Sequence, residues 1–336
     1  MRRVQILLAI GLPLASVAQT PTCAVLDSVV RTMERISYYT IGSDRSALKD
    51  SLGTLCANAD TLIDLAPAFT HVLNALGDHH GRIYLDGRPI AWLTDGTRSH
   101  RKDDRTPDMD FWQKVLDGQY GFEATLFDTT TGYLRIPAVN TTDVDREARR
   151  MRAGLDSLIG AGAKRWIIDL RVNSGGNMWP MLEALAPLFP EGPSAGSLDR
   201  LGRRSAEYAF RAGHFQRNRY SMIVLPVGKD RSKDALIVLY GRYTASSGEA
   251  VAACLEQRPN TTSMGEATAG YTTENGWTVL YDRLVVSIAE SVLCTGDGGP
   301  YVTNIAPDIV VPDLAPRFDP SDAALNAARA YLQMHR

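Results

Sequence analysis

At 336 residues, with 44% hydrophobic and 22% charged positions, the chain has the composition of a folded globular protein with room for one large domain and a smaller one. Its formal charge of only -2, with the basic residues scattered, excludes the electrostatic footprint of a nucleic-acid or anionic-membrane binder.

The extreme N-terminus reads as an address. Met1-Arg2-Arg3 is basic, Val4 to Leu14 is apolar but too short to span a bilayer comfortably, and Ser16-Val17-Ala18 offers small residues for cleavage after Ala18. Residues 1–18 are therefore expected to be a signal peptide, and no later stretch is apolar enough to cross a membrane. A secreted or periplasmic location changes how the four cysteines are read. Cys23, Cys56, Cys254 and Cys294 have no metal-ligand spacing, and an even number in an oxidising compartment suits disulfides. Pairing Cys23 with Cys56 and Cys254 with Cys294 keeps each bridge within one region.

From Ala24 to Leu76 apolar residues recur at helical spacing, which predicts a small helical domain over 19–84. The charged, non-periodic run Arg101-Lys102-Asp103-Asp104-Arg105 marks 85–131 as a connecting segment. From 132 to 336 strand-like runs alternate with helical stretches, the pattern of an α/β domain.

Three segments of this chain carry candidate chemistry. Trp166 to Asn177 is a buried strand ending in a glycine-containing turn before a helix, and the turn exposes backbone N–H groups that would form an oxyanion hole or an anion nest. Leu236 to Ala250 is again strand, turn and helix, with Ser246 at the helix mouth. Ser246 reads equally as a nucleophile with the next backbone N–H close by, or as the cap of a capping box closed by Glu249. A serine nucleophile needs a base. No lysine follows Lys233 and the one later histidine is His335, so the base must come from upstream. The pair His79-His80, at a turn after the helical domain, is the best-placed candidate; His71, His100 and His214 stand alone.

Taken in order, these residues resemble the superfamily of carboxyl-terminal processing peptidases, the tricorn core and the interphotoreceptor retinoid-binding protein, especially short members like the nisin resistance protein. The matching motifs are Asp78 to His80, Gly132 to Pro137, Ile167 to Gly176, Thr244 to Glu249, Gly265 to Gly270 and Ile305 to Asp308. The resemblance implies a spiral α/β core shared with Clp proteases and crotonases. It implies Ser246 as nucleophile, His80 as base, and an oxyanion hole from Ser247 with Gly175 or Gly176. The serine/lysine branch is absent, because Ala269-Gly270-Tyr271-Thr272 stands where its lysine would be.

The acid that should orient the histidine has no match, which leaves Asp78, Glu249, Glu274 and Glu290 as candidates. Residues 81–132 are too short and too polar for a PDZ module. The expected function is an exported serine endopeptidase acting on peptides or protein tails through an acyl-enzyme, with no metal or organic cofactor. An extended substrate is expected to add as a strand beside Gly265 to Gly270. The alternatives are an inactive relative that binds an apolar ligand or peptide, and a crotonase-like thioester enzyme, which explains neither the Ser246 turn nor export.

Overall fold

The computed structural model describes residues 22–42, 45–93, 108–312 and 316–335; the expected signal peptide and the charged run at 101–105 lie outside them. In chain order the elements are α1 (Thr22–Ile36), α2 (Arg45–Ala57), α3 (Ala66–Leu76), β1 (Arg82–Leu85), β2 (Arg88–Trp92), α4 (Met109–Leu116), β3 (Glu123–Leu126), β4 (Thr131–Arg135), α5 (Val144–Gly160) and β5 (Arg165–Asp169). There follow α6 (Met178–Leu185), β6 (Gly192–Leu198), β7 (Arg204–Arg211), β8 (His214–Arg217), β9 (Ala235–Tyr240), α7 (Ser247–Glu256), β10 (Thr261–Gly265), β11 (Thr273–Leu280), β12 (Leu284–Cys294), β13 (Ile309–Val310) and α8 (Ala323–Met334).

One sheet runs β13-β10-β9-β5-β4-β3, parallel except for the β3–β4 pair. Its central strands β5 and β9 are continuous apolar runs because α5, α6 and α7 cover one face and α8 the other. The second sheet runs β2-β1-β12-β6-β7-β8, with β11 along β12, and is antiparallel throughout. The whole is a mixed α/β fold. No helix among the described residues is long and apolar enough to cross a membrane.

The three N-terminal helices form as the periodicity predicts. Val25, Leu26, Val29 and Met33 make a single buried stripe on α1. That stripe packs with Phe69, Val72 and Leu73 of α3 against Ile83, Leu284, Val286 and Ile288, so the helical unit rests on β1 and β12. The segment 85–131, expected to be only a connection, contributes paired strands to both sheets. Asp86-Gly87, both with positive φ, makes the two-residue turn of a β1–β2 hairpin, and β3 pairs with β4.

Cys23 and Cys56 are disulfide-bonded and join α1 to α2. The expected Cys254–Cys294 bridge is absent. Both thiols are free and buried, Cys254 on α7 within the main apolar core and Cys294 at the end of β12, where each packs as a small apolar side chain. Burial pushes the Cys254 thiol up to about 12, which keeps it protonated.

Candidate active site

The turn between β5 and α6 is built around Asn173. Its carbonyl accepts the Ala245 N–H at 2.9 Å, and its side-chain Oδ1 accepts the Gly175 N–H at 3.0 Å. Gly175 and Gly176 have φ of 110° and 94° and sit where no side chain fits. A Cβ on Gly175 would lie 2.8 Å from Ser246 Cβ, and one on Gly176 2.1 Å from the Val139 carbonyl. Of the two expected oxyanion donors from this turn, the Gly175 N–H is therefore already engaged. The Gly176 N–H and the Ser247 N–H have no protein acceptor among the described residues. The Ser247 hydroxyl donates to the Gly176 carbonyl at 2.7 Å, which draws those two residues together and occupies that hydroxyl.

Ser246 itself has φ 54° and ψ -120°. An ordinary helix cap sits in the extended region, whereas this conformation is sparsely populated for a side-chain-bearing residue and characterises a strained strand-to-helix elbow. The surrounding turn over-determines it. Thr244 Oγ1 accepts the Gly241 N–H at 3.1 Å and donates to the Leu170 carbonyl at 2.8 Å. The Glu249 carboxylate accepts the Ser246 N–H at 2.8 Å, the Gly270 N–H at 2.9 Å and the Thr268 hydroxyl at 2.5 Å. The Ser246–Glu249 capping box is thus present, and it holds the strained serine in place. Burial raises the Glu249 carboxyl to about 7, although these donors favour its charged form.

The histidine pair follows α3, which ends at Gly77 with φ 69°. Asp78, fully buried, accepts the N–H groups of His80 (3.1 Å), Gly81 (2.8 Å) and Ala289 (2.9 Å), and so pins the turn to β12. His79 Nε2 lies 3.0 Å from the Gly270 carbonyl. His80 Nδ1 lies 2.9 Å from Thr273 Oγ1, and with Nδ1–H as donor its Nε2 keeps a lone pair. Burial, with His79 and Arg82 nearby, pushes the His80 imidazole down to about 3, so it is neutral at pH 7. His80 shares two cavities with Ser246. One, of about 500 Å³, is bordered by Gly176, Ser247, Thr273 and Trp277; the other, of about 360 Å³, by Trp112, Tyr243 and Tyr271. The two meet at His80, Arg82 and Ser246.

None of the four candidate acids bonds the His80 ring among the described residues. Asp78 holds backbone, and Glu249 holds the serine turn. Burial alone would raise the Glu274 carboxyl, but Arg217, Ser197 and Tyr208 beside it hold it below the usual range. Glu290 lies against Gly276, and burial together with Glu274 raises its carboxyl. The ring's partner is instead the Thr273 hydroxyl, to which no sequence spacing pointed. The Gly265–Gly270 stretch also offers no open strand edge, since β10 is flanked by β9 and β13. The N–H groups of Glu266, Thr268, Ala269 and Gly270 already bond Tyr240, Ile305, Thr244 and Glu249.

Comparisons with known proteins bear on the fold and the family. The nisin-resistance protein of Lactococcus lactis subsp. lactis is 33% identical over 144 residues, which span 43% of this chain and 45% of that protein. The match thus spans about half the length of that relative. A lipoprotein structure from Streptococcus agalactiae superposes with a TM-score of 0.71 at 18% identity, covering 99% of this chain and 100% of that one. The photosystem II D1 C-terminal processing protease gives 0.56 at 14% identity, covering 91% and 97%. These two likenesses show the shared fold. Residues 130–311, more than half of the sequence, match the model of peptidase family S41, and the chain belongs to that family.

Proposed function

We propose that this chain is a serine-type endopeptidase in which Ser246 attacks the peptide carbonyl and His80 takes its proton. The reading rests on one observation: a serine in a strained elbow shares a cleft with a neutral histidine and two unpartnered backbone donors. The N–H groups of Gly176 and Ser247 would hold the tetrahedral oxyanion. Thr273 positions the imidazole through Nδ1, a role that a carboxylate has in the Ser-His-Asp arrangement. His80 then returns its proton to the leaving amine, and water hydrolyses the acyl-enzyme. Cavities on two sides of the serine suit a polypeptide that continues past the cut in both directions. The alternation β4-α5-β5 and β9-α7-β10 is compatible with the spiral core of Clp proteases and crotonases.

Export to the cell envelope is part of the same proposal, supported by the signal-like N-terminus and by relatives named as a lipoprotein and a nisin-resistance protein. The second reading, an inactive relative that binds a peptide, is favoured by the low basicity of His80 and by the lack, among the described residues, of a carboxylate on its ring. A fluorophosphonate probe and a peptide library, applied to wild type, Ser246→Ala, His79→Ala and His80→Ala, test both. Labelling and cleavage lost in Ser246→Ala and His80→Ala, but kept in His79→Ala, is the expected result. Cleavage retained by Ser246→Ala refutes the mechanism, and a wild type that is never labelled supports the binding module.

A further inference from the structure

The strands β2, β1, β12 and β11 lie side by side, and their register sorts their side chains onto two faces. One face carries Ile83, Ala91, Leu284 and Val286, all buried under the N-terminal helices. The opposite face carries two cross-strand rows, Trp92-Arg82-Ser287-Trp277 and Pro89-Tyr84-Val285-Val279. Trp92 is 44% exposed, Trp277 66% and Val279 61%, and the Tyr84 and Trp277 rings stack at 5.5 Å across β12. Arg82 is the one charged residue in these two rows, and its guanidinium is turned back to donate to the carbonyls of His79 and Gly81. A contiguous aromatic and aliphatic sheet face open to water calls for an occupant.

The face is continuous with the cleft. Arg82, Tyr84 and Trp277 also line the larger cavity beside Ser246, and β1 begins two residues after His80. A permanent partner such as a second copy of this chain, seated here, would obstruct the cleft mouth. A substrate chain would occupy face and cleft together.

We propose that this face is an extended docking surface for the polypeptide being cleaved, and that it selects apolar or aromatic residues well away from the scissile bond. The proposal rests on the peptidase reading above. Tyr84 stands four residues beyond His80, the first of them in the histidine turn and the rest entering β1, so the two lie at most about 13 Å apart at about 3.3 Å per residue. An extended substrate of the same rise covers that distance in at most about four positions from the cut.

The test uses decapeptides built on the strongest cut in denatured casein, with Phe or Ser four positions from the bond on either side. Wild type should prefer Phe by about tenfold or more in kcat/KM on one side. Trp277→Ser should bring that ratio close to one, and Val279→Arg should do the same with both rings left in place. Binding of the same peptides to Ser246→Ala, with and without Trp277→Ser, reads the docking without cleavage. Tenfold tighter binding of the Phe peptide that disappears with Trp277→Ser supports the surface even if the wild type cleaves nothing. Cleavage or binding with equal preference for Phe and Ser overturns it. So does a dimer seen by light scattering that Trp277→Ser dissociates while the Phe preference persists.

Discussion

Replacing Glu249 with glutamine separates the electrostatic part of the serine turn from its hydrogen bonding. In the folded protein this carboxyl titrates at about 7, against an ordinary 4.5. At about 1.4 kcal/mol per pH unit, that interval corresponds to about 3 kcal/mol of folding stability. The folded state holds the proton more tightly than the unfolded chain does. The stability is therefore fully present below pH 4.5 and is lost as pH rises through about 7. Glutamine cannot titrate, and its carbonyl can still accept an N–H from the turn. His80 acts with the opposite sign, since its depressed pKa makes stability rise as pH climbs from about 3 toward 6.5. Both proteins contain His80, so its effect cancels in their difference. Urea denaturation from pH 4 to pH 8 should show wild-type stability falling relative to Glu249→Gln by about 3 kcal/mol, centred between pH 5 and 7. Parallel stability curves would refute the assignment of a raised, buried carboxyl to this position.

Thr273→Ala should reduce kcat by about tenfold with KM little changed, because the imidazole loses its Nδ1 partner; Thr273→Ser should restore most of the rate. With its base pushed down to about 3, wild-type kcat/KM should show no acid limb near pH 6.5, and steady-state rates from pH 4.5 to 8 check this. Cys23→Ser/Cys56→Ser should destabilise the protein by about 3.7 kcal/mol, as expected for a closed loop spanning a separation of 33 residues, measured as a urea midpoint shift. Thiol titration of the unfolded, unreduced chain should find two free cysteines, Cys254 and Cys294.

Much of this architecture was legible in the sequence because the strands that carry the site are buried on both faces. The runs leading to Gly175 and to Ser246 are continuous apolar segments ended by polar turns, a local signal. The β1–β2 hairpin carries a turn signal in Asp86-Gly87 that went unread, because the charged stretch after it made the whole region look like a connection. The partner of His80 left no such trace. Thr273 lies far along the chain, and a hydroxyl at the start of a strand looks like any other threonine. The four carboxylates came into view because the resemblance calls for an acid to orient the histidine. None bonds the ring among the described residues, and a hydroxyl stands there instead. Cys254 and Cys294 misled for a related reason, since parity of number does not distinguish a bridge from two small residues filling a core.

The path of β12 has a consequence for when the proposed peptidase activity could arise. Its first half supports the helical unit from which His80 emerges, its Ala289 N–H anchors the histidine turn through Asp78, and its end pairs with β6 beside the serine's half of the molecule. On the proposed mechanism, a fragment from Asp108 onward would keep Ser246 and both amide donors yet lack His80. Reactivity is therefore a property of completed assembly. A chain that is half-made, nicked ahead of α4 or misfolded at its first helices should be silent rather than unregulated.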